Sequence, residues 1–165
     1  GYAVTAVLGK REVMQAAEKS FISSTFWTER IGSSAALATL KAMDKEKSWE
    51  KITSTGESVN QEWLKLSQEF ELPITISGLA ALTTFTFKSD NALAYKTLIT
   101  QEMLKKGYLA ATAVYVCTAH TPDIIKTYLE NLKPIFKTIK ECEEGRDIMK
   151  LLEGPIAHNG FKRLN

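Results

Sequence analysis

Hydroxyl side chains crowd into one short stretch of this chain: Ser23, Ser24, Thr25 and Thr28 lie close together, just ahead of a helix-forming segment that opens at Ser33 and Ser34. Hydroxyls and backbone amides gathered before a helix suit an anion such as phosphate, because the first N–H groups of a helix have no intrahelical partners and the dipole is positive there. The same residues also suit a polar strand-to-helix connection whose hydroxyls cap the helix. The residues alone leave both readings open. Other chemistry is thinly supplied. His120 and His158 are the two histidines and stand far apart; His120 reads as a hydrogen-bonded residue at a strand end rather than as a catalytic base. Cys117 and Cys142 lack metal-ligand spacing and read as free thiols. There is no glycine-rich phosphate loop, no HExxH and no GxSxG, and nothing supports a Ser/His/Asp arrangement. Lys10, Lys41 and Lys162 sit in charged or polar contexts, unlike the apolar surroundings that depress an amine pKa.

Composition narrows the classes further. With 165 residues, 44% hydrophobic and 24% charged, the chain can fill one full core or two small ones. Its 21 basic and 19 acidic residues give a formal charge of +2 without any basic run, which argues against nucleic acid as a partner. No apolar run approaches the roughly 18 residues of a membrane span. The expectation is a soluble, cytoplasmic protein with reduced thiols and no membrane partner.

The elements that must position these residues follow from periodicity. Residues 2–8 (YAVTAVL) form a near-continuous apolar run, the pattern of a parallel strand buried on both faces. Such a strand calls for neighbours, so a missing N-terminal region is expected. A short helix is predicted over 10–19, with Val13, Met14, Ala16 and Ala17 on one face, and a second strand over 21–27. Ser33 and Ser34 should cap a helix carrying Ala36, Leu37, Leu40 and Met43. A longer helix over 49–70 follows from Trp49, Ile52, Val59, Trp63, Leu66 and Phe70, with Gly56 a weak point in its middle. Pro73 then marks a change of pattern. Residues 74–76 and 82–87 alternate as strands around a bend at Gly78, Asn91 should cap a helix that stops at Gly107, and 109–117 reads as a strand. Thr121, Pro122 and Asp123 form a strong helix start, and the helix runs to about 143 with a kink expected at Pro134. Residues 146–152 read as a short helix. The division expected is 1–32 as the end of a parallel α/β domain, 33–72 as linking helices, and 73–165 as a small α+β domain.

Several stretches together resemble the class III, fold-type I pyridoxal-phosphate enzymes, which include many aminotransferases and glutamate-1-semialdehyde aminomutase. Gly1, Tyr2 and AVTAVLGKREVMQAA follow the family's order, as do Ser24, Thr25, Phe26 and SAALATL; ITISGLAALTTFTF and YLAATAVYVCTAHT resemble its small-domain strands. The resemblance covers essentially the whole chain but only the C-terminal part of the family's length. It implies an α/β fold, the end of a large pyridoxal-phosphate-binding domain followed by a small α+β domain. It further implies pyridoxal phosphate as cofactor, a small-molecule amino donor and acceptor, and a homodimer with sites at its interface. The activity implied is aminotransferase on an amino acid or amine, with an aminomutase-type isomerase as the alternative. In the family a threonine of the Ser/Thr-rich loop binds the cofactor phosphate of the neighbouring subunit; by position this is Thr25, with Ser24 beside it. Many members carry Gly-Asn-Pro shortly afterwards, where this chain has Trp27, Thr28, Glu29, Arg30, Ile31 and Gly32, and that departure leaves substrate and subfamily open. Glu29 and Arg30 read equally as residues near the dimer interface or active-site mouth and as an exposed loop ion pair. The family's Schiff-base lysine and its pyridine-pairing aspartate lie upstream of Gly1, so this polypeptide alone is expected not to catalyse transamination. A non-catalytic interaction or ligand-binding module on the same small domain is the alternative from another class, and the apolar first run argues against it.

Overall fold

The computed structural model describes residues 1–22, 25–158 and 160, and it divides into two units, residues 1–48 and 49–165.

In the first unit neither predicted strand forms. Residues 2–8 carry no strand and are exposed, and the described residues of 21–27 are coil, bend and turn. A run of β-branched residues becomes a strand only when a second backbone pairs with its N–H and C=O groups, and no described segment of this unit does so. The helix expected over 10–19 is a single α-turn, α1 (Arg11–Met14), continued as a 3-10 helix over Gln15–Lys19. Helix α2 (Ile31–Glu46) starts two residues ahead of the predicted Ser33/Ser34 cap. The capping group is instead the Glu29 carboxylate, which accepts from the N–H groups of Ile31 at 2.8 Å and Gly32 at 3.3 Å. A carboxylate there also meets the positive end of the helix dipole, which a serine hydroxyl cannot do as well. Gly32 is buried, and a Cβ on it would stand 3.0 Å from Val4 Cγ2.

The second unit has its own core. Helix α3 (Ser48–Glu69) leads into strands β1 (Ile74–Leu79) and β2 (Leu82–Phe87), followed by helix α4 (Ala92–Lys105), strand β3 (Ala113–Tyr115) and helix α5 (Pro122–Glu143). The sheet is antiparallel in the order β1-β2-β3, with Ile74 opposite Phe87 and Leu82 opposite Tyr115. Alternation along β2 turns Thr83, Phe85 and Phe87 inward, as a half-buried strand requires. The strand predicted over 109–117 pairs only at 113–115, with single bonds Phe85 N–H to Thr112 O and Val116 N–H to Ala81 O flanking the ladder. Asn91 stands at the head of α4 but its side chain caps nothing; Ser89 Oγ accepts the Asn91 N–H at 3.1 Å. The extended backbone a capping side chain needs is missing at Asn91, whose φ and ψ are −89° and 11°. Helix α5 starts where expected, with Thr121 accepting from the Ile124 N–H and Pro122 in the first turn, and it continues through Pro134.

Aromatic rings fill the middle of this core. Trp63 of α3 meets Phe85 edge-on at 4.7 Å, Phe85 meets Phe87 at 5.5 Å, and Phe136 of α5 stands 5.3 Å from Phe87. Each such ring contributes about 1.5–3 kcal/mol through burial alone. A polar link joins α3 to α5 within the core: Trp63 Nε1 donates to Tyr128 Oη at 3.1 Å. Burial pushes the Tyr128 phenol up to about 12, against a smaller downward pull from the Trp63 donor. The unfolded phenol loses its proton near 10, so between about 10 and 12 the folded state binds more protons than the unfolded one and stability falls as pH rises. The melting temperature should therefore drop across that window, and a Tyr128→Phe variant should show a shallower drop in the same melting series; equal slopes would contradict the burial of this hydroxyl.

Candidate functional site

The hydroxyl-rich stretch lies in the first unit. Thr25 is exposed in a bend, and a turn closed by Glu29 N–H to Phe26 O (2.8 Å) follows it. Ser24, the second expected phosphate contact, and Ser23 lie outside the described residues. The helix start that could have formed an anion cradle is already occupied by Glu29, whose carboxylate takes the Ile31 and Gly32 amides. Its negative charge there opposes a second anion. Among the described residues of the loop, the exposed side chains of Thr25 and Thr28 remain for an anion, with Arg30 at the head of α2.

In the second unit a groove of about 700 Å³ runs between α3 and α5. Leu66, Ile125 and Leu129 line it, and its rims are charged. Those charges answer one another: Lys65 pairs with Glu62 at 2.5 Å and Lys133 with Glu69 at 2.6 Å. Exposed pairs of this kind contribute little to stability. His120, half-buried in the segment after β3, accepts the Cys117 N–H on Nδ1 at 3.2 Å. Cys117 is exposed, while the Cys142 thiol is buried and its pKa is raised by that burial. No group of three or more metal-ligating side chains occurs among the described residues, and no helix among them is long and apolar enough to cross a membrane.

Lysines bear most directly on chemistry. A nucleophilic amine needs a low-dielectric setting that suppresses its charge, yet none of the described lysines is buried. Lys105 lies 2.7 Å from both Glu102 and Glu153, and Lys140 lies 2.9 Å from Glu71 and 3.6 Å from Glu144. Hydrogen bonds to these carboxylates raise both pKa values and hold the amines protonated. Lys10 and Lys41 are exposed, and Lys162 lies outside the described residues.

No family model matches this chain. It is 28% identical over 147 residues to the 3-aminobutyryl-CoA aminotransferase of Cloacimonas acidaminovorans, covering 86% of this chain and 36% of that protein. To the 2'-deamino-2'-hydroxyneamine transaminase of Streptomyces kanamyceticus it is 26% identical, covering 78% and 34%. Glutamate-1-semialdehyde 2,1-aminomutase of Hyperthermus butylicus is 22% identical, with 85% and 37% covered. The fold matches the FumI protein of Sphingopyxis sp. MTA144, solved in its PLP internal aldimine form, with a TM-score of 0.70 at 21% identity over 88% of this chain and 36% of that one. The chain matches the C-terminal part of class III pyridoxal-phosphate aminotransferases. It spans little more than a third of the length of these relatives, 34% to 37%.

The residues of this chain offer pyridoxal phosphate a limited fit. Thr25 can donate one hydrogen bond to a phosphate oxygen, but the α2 amides are taken by Glu29. No described lysine has the buried setting that Schiff-base chemistry needs. Sequence reasoning placed Thr25 by family resemblance and missed the Glu29 cap, although a glutamate two residues before a helix start carries some capping signal.

Proposed function

We propose that this chain is the C-terminal part of a pyridoxal-phosphate-dependent class III aminotransferase that moves an amino group on an amino acid or amine. Similarity to aminotransferases across most of the chain, joined to a matching fold, carries the proposal. The whole enzyme acts as a cytoplasmic homodimer on small-molecule amino donors and acceptors. Bound pyridoxal phosphate would supply the electron sink for removal of a substrate proton. This chain contributes Thr25, with Ser24 beside it, as hydrogen-bond donors to the cofactor phosphate of the neighbouring subunit. The catalytic lysine lies in the portion of the relatives' length that this chain does not span, consistent with the exposed or carboxylate-paired lysines described here.

The test compares the chain alone with a protein extended upstream through the expected lysine loop and large domain. The longer protein should retain a visible cofactor band that borohydride abolishes, and the chain alone should not. A longer protein that releases all cofactor on dialysis sinks the proposal. In that longer protein Thr25→Ala should weaken cofactor affinity about tenfold or more, the cost of one hydrogen bond to a charged group, while Thr25→Ser should retain most of it. Unchanged affinity in Thr25→Ala, by equilibrium titration of the cofactor, would remove Thr25 from the phosphate site.

Similarity to glutamate-1-semialdehyde aminomutases supports a second reading, intramolecular migration of the amino group. Product analysis with and without an added amino acceptor separates the two, because only transfer between molecules consumes the acceptor.

A further inference from the structure

Alternation along the strands gives the small sheet two faces of different character. Ile74, Phe85 and Phe87 face the core, to which α3, α4 and α5 all contribute buried residues. The register sets the other face in three rows across the strands. Leu79, Leu82 and Tyr115 form the first, Ser77, Thr84 and Ala113 the second, Thr75 and Thr86 the third. All but Thr84 are exposed, Leu79 by 77% and Tyr115 by 74%. Thr84 is half-buried, and its hydroxyl is spent on Thr112 O at 2.9 Å. None of the eight is charged, although 24% of the chain's residues are, and neither edge strand, β1 nor β3, holds a charge. Sheets left to water usually carry polar, often charged side chains outward, and charges on the edge strands keep them from pairing with other chains. Absence of charge with a tyrosine present is instead the composition of the middle of a protein interface.

Size decides between occupants. Six residues at about 3.4 Å each and three strands about 4.8 Å apart make this face no larger than about 300 Å². A stable contact between separate chains covers about 800 Å² on each partner, so this face is too small to hold a second copy or an independent protein by itself. A covalently joined segment needs no such area, because the link supplies its effective concentration. Such a segment is at hand on the reading proposed above, that this chain is the C-terminal part of a longer aminotransferase, since the chain covers only 36% of the relatives' length. We infer that the uncharged face of this sheet is covered by the upstream part of the same polypeptide. The covering surface is apolar over the row of Leu79, Leu82 and Tyr115. Over Thr75 and Thr86 it is uncharged and hydrogen-bonding, because a charge buried there would meet no counter-charge.

Cysteine labelling reads the cover directly. Leu79→Cys and Tyr115→Cys are made one at a time in a Cys117→Ser background, which removes the exposed native thiol. Each is placed both in this chain and in the protein extended upstream, with Leu104→Cys at an exposed position of α4 as the control, and reaction with a maleimide is followed peptide by peptide. The two sheet positions should react about tenfold or more slowly in the longer protein, while Leu104→Cys reacts alike in both. Equal rates at the sheet positions, in a longer protein that retains its cofactor band, overturn the proposal and leave the functional reading standing. A longer protein without that band overturns the functional reading and this proposal with it. Protection that develops in the chain alone as its concentration rises assigns the face to a second copy and likewise overturns the proposal.

Discussion

Gly56→Ala should destabilise the second unit by about 3 kcal/mol or more, although alanine is the better helix former. Propensity alone predicts the opposite sign: in a helix interior alanine is favoured over glycine by about 1 kcal/mol. Gly56 lies in α3 and is buried, and a Cβ built on it would stand 1.8 Å from Ala80 O, 2.4 Å from Ala80 C and 3.2 Å from Ala81 N. All three are backbone atoms of the turn joining β1 to β2. No rotamer change can relieve such a clash, so helix and hairpin must separate, and Val59 and Trp63 on the same helix lose part of their packing. Overpacking against backbone outweighs the propensity gain by a wide margin. Urea unfolding of the variant beside Ser54→Ala, an exposed position on the same helix, gives the measurement. Ser54→Ala should change stability by no more than about 0.5 kcal/mol. A Gly56→Ala protein as stable as the parent would mean that α3 does not lie against the hairpin turn.

The same glycine marks where sequence reading runs out. From the chain it is a weak point in a helix; from the structure it is the place where two backbones touch. Elements whose signals are local were legible. Thr121, Pro122 and Asp123 specify the start of α5 within one turn, and the alternation LTTFTF specifies both β2 and its inward face, because the information lies in adjacent residues. Elements that depend on distant partners were not. Residues 2–8 have the composition of a strand, but a strand exists only as part of a ladder, and no described segment of the first unit supplies one. The strand β3 is shorter than its apolar run because β2 pairs with only part of it. Caps were misassigned to Ser33, Ser34 and Asn91 for a related reason: residue type permits capping, but backbone angles and the reach of Glu29 and Ser89 decide it. The candidate site was less legible still. Thr25 is an ordinary loop threonine by type and spacing, and only likeness to a family gives it a role. The uncharged sheet face joins residues of three strands, and only the register of the ladder brings them together.

Trp63→Ala is the second variant with a large expected effect, and it tests whether the core is organised around the link between α3 and α5. Trp63 is fully buried, meets Phe85 at 4.7 Å and donates through Nε1 to Tyr128 Oη. Truncation removes the ring and leaves a cavity between α3 and the sheet, so a loss of about 3–5 kcal/mol is expected. The polar link can be separated from the ring. Trp63→Phe keeps an aromatic against Phe85 but deletes the N–H, leaving the buried Tyr128 hydroxyl without its donor at a cost of about 1–3 kcal/mol. Tyr128→Phe strands the indole N–H in the same way. Because each single variant leaves one buried polar group behind and the double variant leaves neither, Trp63→Phe combined with Tyr128→Phe should cost less than the sum of the two. Strictly additive losses in chemical denaturation would show that the Trp63–Tyr128 bond contributes nothing. Ring packing and the exposed Glu69–Lys133 pair would then hold α3 against α5 without help from this bond.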